Sequence, residues 1–454
     1  MPIQKLLIAN RGEIAVRVIR AARALGIRTV QVHSMADADS LAVRMADEAV
    51  NIGPPHAAKS YLNVDAVLQA AKDTGADAIH PGYGFLSENA GFARAVEAAG
   101  LVFVGPTPET ISRLGDKAAA RAAADAAGVP TVPGSDGVLE SVEAARAAAE
   151  KIGYPVMIKA AAGGGGRGIK IAETPDMLEK LVSEARNEAQ AAFGDGTLYM
   201  EKVIRNARHI EVQVLGDGTD AIHCFERECS LQRRRQKVWE EAPSAALSPD
   251  QREAICESAV ALARSVGYRG AGTLEYLFDD ASGEYYFIEM NTRIQVEHPV
   301  TEMVTGIDLV QEMIRIAGGE PLRLTQSDVT LTGHAIECRI NAEDPANGFM
   351  PGPGTIEALS VPMAADVRFD TLLYEGYQVP PFYDSLLGKL IVHAPDRAAA
   401  IDRMAAALTE LRIEGLKTTI PLHKTLAMTL EIRTNDVHTQ FLEPWLEAHP
   451  ITAE

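Results

Sequence analysis

The sequence predicts a chain of the α/β and α+β classes, with an N-terminal Rossmann-like parallel sheet, a small mobile lid and a C-terminal mixed sheet. Three observations predict this fold. Short apolar runs alternate with helical patterns up to about residue 128, a glycine tract separates two short strands at 163–168, and longer strands with strict polar and apolar alternation follow residue 204. Strict alternation is typical of strands with one face on the core, as in antiparallel sheets.

Composition limits the function classes. The 454 residues are 47% hydrophobic, and at about 150 residues per domain they suggest about three domains. The formal net charge of −19 disfavours a nucleic-acid or anionic-membrane partner, so an anionic substrate would need a local basic pocket. Four cysteines without CxxC spacing, and no apolar run of about 18 residues, favour a cytoplasmic location over secretion or membrane insertion.

Residues 1–115 form the first predicted domain. The run LLIA predicts a strand, the next apolar residues have helical spacing, and further strands are predicted at TVQV, DAIH and LVFV. This succession is the βαβ pattern of a parallel sheet. The turn after the first strand, ANRGEIA, lacks the GxGxxG fingerprint, so the Rossmann-like shape does not imply NAD binding.

Residues 116–133 are predicted to be a linker helix and hinge, and residues 134–203 the lid, with helices at 142–152 and 176–193. The glycine tract of the lid is followed by a strand, GIKIA, where a P-loop would open a helix. A glycine hairpin entered from Lys159 can close its backbone N–H groups over phosphates. A flexible surface loop is the other interpretation, and it is less favoured because Lys159 lies on an apolar strand.

Residues 204–454 form the third predicted part, in which the strands GTLEYLF and EYYFIEMN flank a turn centred near Ser282. Glu275 and Glu289 lie equally far from that centre, so they would face each other. Repulsion disfavours such a pair unless a cation lies between the carboxylates. Asn291 shares their face and completes a set of oxygen ligands for Mg²⁺ or Mn²⁺, while a solvated outer face is the alternative.

Alternation continues past this hairpin in the sequence. We expect one polar row of Glu289, Asn291, Arg293, Gln295 and Glu297, and one core-facing row of Ile288, Met290, Ile294 and Val296. The basic run Gln232–Lys237 is by itself most typical of a solvated surface. His209 alternates with apolar residues, which suits a structural histidine as well as a ligand-binding one.

Several long motifs, in this order, resemble those of biotin carboxylase, the ATP-grasp component of biotin-dependent carboxylases. They are ANRGEIA at 9–15, HPGYGFLSEN at 80–89, GDKAAA at 115–120, KAAAGGGGRG at 159–168, MEK at 200–202, EMNTRIQVEHPVTE at 289–302 and GHAIECRINAEDP at 333–345. The resemblance covers nearly the whole chain. It implies an ATP-grasp fold and an ATP-dependent ligase.

The resemblance also implies site residues. ATP would bind between the lid and the third part, at Lys117, Lys159, Gly165, Gly166, Glu201, Lys202, His209, Gln232 and Arg235. The metal ligands would be Glu275, Glu289 and Asn291, the set that the hairpin argument selects. Bicarbonate and biotin would bind at Lys237, Arg293, Gln295, Val296, Glu297 and Arg339, with Tyr83 near the biotin ring.

The implied reaction activates bicarbonate, a poor electrophile, by phosphorylation. Glu297 would be the base that deprotonates bicarbonate, and Lys237 would neutralise charge on the transferred phosphoryl group together with metal ions. Carboxyphosphate would then break down to CO₂ and phosphate. Phosphate would take the N1′ proton of biotin, and Arg339 would stabilise the ureido enolate.

Three departures from the usual family pattern are the pair Ala161 and Ala162, then Arg235 where a histidine is usual, and Trp239 nearby. Arg235 affects the expected ATP contacts more than the expected activity. The alternatives are another ATP-grasp carboxylate ligase and a non-catalytic nucleotide-binding subunit. The sequence contains no biotin-attachment MKM, so we expect a separate biotin carboxyl carrier protein and carboxyltransferase subunits, as in an acyl-CoA carboxylase such as acetyl-CoA carboxylase. A homodimer is also expected.

Overall fold

A parallel five-stranded sheet opens the chain in the computed structural model, which describes residues 2–135, 137–160 and 169–452. Its strand order is β3-β2-β1-β4-β5. The elements are β1 (Lys5–Ile8), α1 (Gly12–Ala24), β2 (Arg28–Ser34), α2 (Leu41–Met45), β3 (Glu48–Gly53), α3 (Val64–Thr74), β4 (Ala78–His80), α4 (Ala90–Ala98) and β5 (Val102–Phe103). Helix α1 buries Ile14, Val18 and Ala21, so the predicted helical spacing is confirmed.

The turn after β1 is tied to the loop after β4. The Asn10 amide donates to the backbone carbonyls of Pro81 and Tyr83, at 2.7 Å each. Gly82 has a φ of +63°, and a Cβ there would lie 2.8 Å from the Asn10 amide nitrogen. Only glycine therefore fits this approach, which fixes the backbone that carries Tyr83.

Two helices, α5 (Pro108–Gly115) and α6 (Lys117–Ala126), lead to a three-stranded antiparallel sheet of order β7-β6-β8. The elements of this unit are α7 (Val142–Ile152), β6 (Val156–Ala160), β7 (Ile169–Ala172), α8 (Pro175–Phe193) and β8 (Leu198–Lys202). Ala145, Ala149 and Val182 pack against Val156 and Ile158 in its core. Gly165, Gly166, Ala161 and Ala162 lie outside the described residues.

An eight-stranded sheet of order β13-β12-β9-β10-β11-β14-β19-β18 holds the rest of the chain together. Each of its ladders is antiparallel, and an isolated bridge from Thr131 to Phe287 adds a parallel pairing at its edge. The elements up to its middle are β9 (Arg208–Asp217), β10 (Ala221–Arg233), β11 (Gln236–Ala242), α9 (Pro249–Ser265), β12 (Arg269–Asp279), β13 (Glu284–Asn291), α10 (His298–Thr305) and α11 (Leu309–Ala317).

The remaining elements are β14 (His334–Asn341), β15 (Glu343–Asp344), β16 (Met350–Pro351), β17 (Ala358–Ser360), β18 (Val367–Thr371), β19 (Leu386–Ala394), α12 (Arg397–Glu410), β20 (Arg412–Glu414), α13 (Ile420–Met428), α14 (Leu430–Arg433) and α15 (Leu442–Ala448). Of these, β14, β18 and β19 complete the eight-stranded sheet, β15 with β16 and β17 with β20 form two small sheets, and α12 and α13 pack on β14 and β19. Among the described residues, no helix has the length and apolar character needed to cross a bilayer.

Two expectations about the hairpin are wrong. Strand β13 ends at Asn291, so the strand alternation does not continue to Glu297, and the chain turns into α10 instead. Ile288 does not face the core, because its side chain is 40% exposed. A register shift between Glu275 and Tyr276 makes Ile288 an extra residue on β13, which is a β-bulge.

Candidate functional site

A row of three glutamates crosses the eight-stranded sheet. Glu275 on β12 pairs with Glu289 on β13 and with Glu211 on β9, so the predicted facing of Glu275 and Glu289 is confirmed. The bulge at Ile288 creates this pairing, because without the extra residue Glu275 would face Ile288. Three carboxylates in a row require nearby cations.

The predicted metal ligands lie at one end of this row. The Asn291 amide donates to Glu275 at 3.0 Å, and Arg293 donates to the Asn291 side-chain oxygen at 2.8 Å. Burial raises the pKa of Glu289, and the neighbouring Glu275 carboxylate raises it further. Two repelling carboxylates beside an amide oxygen fit a hard divalent cation.

A second group of possible ligand atoms overlaps this one, since atoms of His209, Glu211 and Glu275 lie within 4.8 Å of one another. His209 is buried, and its Nε2 lies 3.2 Å from Glu275. Burial and Lys237 lower the pKa of His209, but Glu275 and Glu211 raise it more, to about 9. The imidazole therefore acts as a further cation beside the row.

Lys237 on β11 is the centre of the charge arrangement. Its ammonium donates to Glu211 at 2.5 Å, to Glu275 at 3.1 Å and to Glu297 at 2.6 Å. Burial lowers the pKa of Lys237, but these carboxylates outweigh that effect and hold the pKa well above its usual value. Gln295 also stabilises one of these carboxylates, because its side-chain amide donates to Glu275 at 2.8 Å.

Glu297 is buried between two cations. Besides Lys237, it accepts a hydrogen bond from Arg339 at 3.0 Å, and Arg339 also donates to Glu240 at 2.5 Å. Burial and Glu211 raise the pKa of Glu297, while Lys237 and Arg339 lower it, and the net direction is downward. Glu297 is therefore a carboxylate at neutral pH, as a general base must be.

A cavity of about 320 Å³ lies between the β1–α1 turn and the eight-stranded sheet, and Tyr83, Lys237, Val296 and Arg339 line it. The Tyr83 hydroxyl donates to Glu13, which also pairs with the buried Lys389 at 3.2 Å. The structure thus places four of the predicted bicarbonate and biotin residues around one cavity. Four cationic side chains and three acidic ones line the cavity, so its wall has a cationic excess within a strongly acidic chain.

Three of the predicted nucleotide residues, Lys159, Glu201 and Lys202, lie on the strands of the lid. Lys159 pairs with Glu201 across the lid sheet, and Lys202 lies 3.5 Å from the Tyr286 hydroxyl of β13. A second cavity of about 540 Å³ between lid and sheet is lined by Lys202, by Asp279–Ala281 and by Asp436–His438. Lys117 is exposed at the start of α6 and lowers the pKa of Glu289 through its charge.

Two predicted nucleotide residues lie at the β10–β11 hairpin. Arg234 and Arg235 form its two-residue turn with φ values of 49° and 66°, and Arg235 is exposed. Gln232 is buried, pairs with Lys237 through the ladder, and donates its side-chain amide to the Cys229 carbonyl at 2.8 Å. Gln232 therefore lies opposite Lys237 across the ladder and Arg235 close to it along the chain, while the Gln232 side chain bonds to Cys229 and Arg235 is exposed.

Sequence reasoning missed two residues behind the site, Glu211 and Arg227. Both are fully buried, and the guanidinium of Arg227 donates to Glu211 at 2.6 Å, to Gln295 and Gln213 at 2.8 Å, to Thr301 at 2.9 Å and to Thr273 at 3.2 Å. Arg227 thereby joins β9, β10, β12 and the segment before α10. An arginine within the otherwise buried strand AIHCFERECSL is the signal that could have indicated it.

A lid over a sheet that carries paired acidic residues, beside a cationic pocket, defines an ATP-grasp ligase as the class of protein. Family models agree with this class over three ranges. Biotin carboxylase, N-terminal domain, matches residues 2–111, carbamoyl-phosphate synthase L chain, ATP binding domain, matches 116–325, and biotin carboxylase C-terminal domain matches 337–444. The biotin carboxylase of Nostoc sp. is 55% identical over 98% of this chain and 99% of its own length. The chain belongs to the biotin carboxylase family.

Solved structures show the same fold. The biotin carboxylase domain dimer of Hydrogenobacter thermophilus 2-oxoglutarate carboxylase, in complex with MgADP, ADP and bicarbonate, is 49% identical, with a TM-score of 0.87 and full coverage of both chains. Rhizobium etli pyruvate carboxylase is 43% identical with a TM-score of 0.85, covering 98% of this chain but 41% of its own. In that enzyme the matching region is one part of a larger carboxylase.

Proposed function

We propose that this site carboxylates biotin at N1′ with ATP and bicarbonate, using the 320 Å³ cavity as the bicarbonate and biotin pocket. The observation that carries the proposal is the buried Glu297 carboxylate, which contacts both Lys237 and Arg339 where these cations line the cavity. Bicarbonate is an anion that must be bound and deprotonated. This arrangement offers it two cations and one base.

Lys237 would link the base to the nucleotide. In the described state its charge is shared among Glu211, Glu275 and Glu297. When the ammonium turns towards a transferring phosphoryl group, Glu297 loses one of its cations and its pKa rises. The base would therefore become stronger when ATP is in place, and bicarbonate deprotonation would be coupled to nucleotide binding.

ATP would bind between lid and sheet, with its phosphates at Lys117, Lys159 and the lid glycines and its remaining part towards Lys202 and the 540 Å³ cavity. Glu275, Glu289 and Asn291 would hold Mg²⁺ or Mn²⁺, which supplies charge neutralisation for phosphoryl transfer. Arg293 orients Asn291 by donating to its side-chain oxygen. The Hydrogenobacter neighbour, which is in complex with MgADP and bicarbonate, supports the proposed nucleotide and metal sites.

The first test measures ATP hydrolysis by the purified chain with and without bicarbonate, Mg²⁺ and free biotin. We expect hydrolysis to depend on all three. Hydrolysis that ignores both bicarbonate and biotin would contradict the proposal and would leave another ATP-grasp ligase as the function.

The second test separates the roles of two side chains. Glu297→Gln should stop ADP release and carboxybiotin formation together, whereas Arg339→Ala should spare some ADP release and lower the yield of carboxybiotin per ADP. Glu253→Gln, an exposed change on α9, is the matched control and should leave the ratio unchanged. Equal losses in both variants would refute the proposed division of roles.

We further propose that the biotin is presented by a carrier protein and that a carboxyltransferase uses the product. In support, the matching region is 41% of the pyruvate carboxylase chain, so that carboxylase has further parts beyond it. A homodimer is proposed from the dimer of the Hydrogenobacter neighbour, and a cytoplasmic location from the unpaired cysteines. Light scattering, copurification and cell fractionation test these points.

A further inference from the structure

Two glutamates that the proposed mechanism does not use lie beneath Arg339. Glu240 on β11 and Glu337 on β14 are directly opposite each other in the antiparallel ladder, and both are fully buried. Side chains in such a position have Cβ atoms about 5 Å apart. Two ionised carboxylates at that separation, away from water, would repel each other strongly.

The hydrogen-bond pattern around the pair is incomplete in one specific way. One oxygen of Glu240 accepts from Arg339 at 2.5 Å, but its other oxygen and both oxygens of Glu337 have no partner among the described residues. All three unpartnered oxygens belong to one cross-strand pair. A single proton, donated from the Glu337 carboxyl to the free oxygen of Glu240, would satisfy the pair as a whole.

The nearby cations are already engaged. Lys389 on β19 donates to the Val296 carbonyl at 2.7 Å and pairs with Glu13 of α1, and Arg339 serves Glu240 and Glu297. Glu337 has the apolar Ile391 opposite it on β19, and Ile391 belongs to an apolar cluster with Val300 of α10. Lys389 and Arg339 act on Glu337 through their charge alone, since neither Glu337 oxygen has a hydrogen-bond partner among the described residues.

We propose that Glu240 and Glu337 share one proton and that this singly charged pair positions Arg339 towards the cavity. This inference rests on the proposed role of Arg339 in holding the reacting biotin. With one charge on the pair, Arg339 keeps part of its own charge for the substrate. With two charges on the pair, the carboxylates of Glu240, Glu297 and Glu337 would together neutralise the positive charge of Arg339, and less of it would be left for the substrate.

The pKa values agree in direction. Burial raises the pKa of Glu240 to about 7 although Arg339 opposes it, and burial raises the pKa of Glu337 well above its usual value. The charged or titratable groups that interact with the pair are Arg339 and Cys338 on the strand of Glu337, Lys389 from β19, Lys237 from β11, Cys229 from β10 and Glu297 just before α10. Arg397 of α12 pairs with Glu241 on the opposite face of the sheet.

Infrared spectroscopy tests the shared proton without reference to activity. We expect the difference spectrum of wild type minus Glu337→Gln at neutral pH to contain the C=O stretch of a protonated carboxyl group. Glu226→Gln replaces another fully buried glutamate of the same sheet, on β10. The spectrum of this variant should retain the band, so the difference spectrum of wild type minus Glu226→Gln should lack it. A difference spectrum without a protonated-carboxyl band would overturn the proposal.

The pH profile tests the effect on Arg339. The amide introduced by Glu337→Gln mimics the neutral acid, so carboxylation at neutral pH should stay within about threefold of wild type. Glu337→Gln should move the alkaline limb of carboxybiotin formation to higher pH, because the pair can no longer gain its second charge. An unchanged alkaline limb, or a loss as deep as that of Arg339→Ala, would overturn the proposal. If wild type lacks bicarbonate-dependent turnover, the proposed function fails while the infrared band still decides the proton.

Discussion

Replacing Arg227 by Met would remove the one guanidinium that joins the strands behind the site. Glu211 would keep only Lys237 and His209 as cationic partners, and the acceptor oxygens of Gln213, Thr273, Gln295 and Thr301 would lose a donor. Breaking a buried ion pair by removing one partner lowers the free energy of unfolding by about 3–5 kcal/mol. We expect Arg227→Met to fall in that range, because both partners of the pair are fully buried.

Equilibrium unfolding in urea, followed by tryptophan fluorescence, measures this loss. Trp239 is buried on β11 in the same sheet, so its emission reports on the strands that Arg227 joins. Arg227→Lys keeps the charge but loses the planar fork, and it should fall between wild type and Arg227→Met. Arg264→Met, a half-exposed change, should shift stability by about 0.5 kcal/mol or less. A loss in Arg227→Met no larger than in Arg264→Met would refute the reasoning.

Three further outcomes are expected. Glu289→Gln should weaken Mg²⁺-dependent turnover by about tenfold or more and leave the metal-free melting temperature unchanged or higher, since it relieves repulsion from Glu275; a lower melting temperature with normal Mg²⁺ dependence would contradict the metal assignment. The pKa of Glu241 is about 2 against an ordinary 4.5, because Arg397 and His334 outweigh burial. The stability from this carboxylate is thus complete above pH 4.5 and lost as pH falls towards 2. In an acid titration, the free energy of unfolding of Glu241→Gln should fall less than that of wild type as pH drops from 4.5 towards 2. An equal fall in both proteins would exclude Glu241 as the source of this acid sensitivity. Arg208 donates to Asp280, which lines the 540 Å³ cavity, and to the carbonyl of Asn435, which directly precedes the lining residue Asp436. Arg208→Gln should raise KM for ATP more than it lowers kcat, and steady-state kinetics with an unchanged KM would count against a nucleotide in this cavity.

The sequence could predict those parts of the site that depend on local geometry. Glu275 and Glu289 belong to one hairpin, so the sequence could predict that they face each other, but their pairing depends on the bulge at Ile288, which their distances from the turn do not reveal. Helix α7 matches its predicted bounds, because its apolar spacing and its Ser141 cap are local signals. The family resemblance implied Lys237, Glu297 and Arg339, which come from three separate segments.

The rest could not be predicted because it depends on pairings between distant segments. Arg227 and Gln295 are 68 residues apart, and Arg227 and Thr301 are 74 apart. No periodicity in the sequence places those side chains together. The end of β13 at Asn291 was missed for a similar reason, since the segment 292–297 is held by contacts with Lys237, Arg227 and Lys389. The polar and apolar alternation of residues 292–297 resembles that of a strand, but tertiary contacts hold the segment in another conformation.

The bulge at Ile288 also decides which changes of length this hairpin can tolerate during evolution. Insertions within the turn at 280–283 lie away from the two carboxylates, so they would leave both in place. Loss of Ile288 alone would join Phe287 to Glu289, and since Phe287 already pairs with Tyr276, Glu289 would stay opposite Glu275. Such a loss would remove the extra local twist that a bulge gives its strand. Homologous chains without residue 288 should therefore keep the facing carboxylates and differ in the twist of this edge strand, so that the exposed isoleucine is under selection for its backbone and free to vary in its side chain.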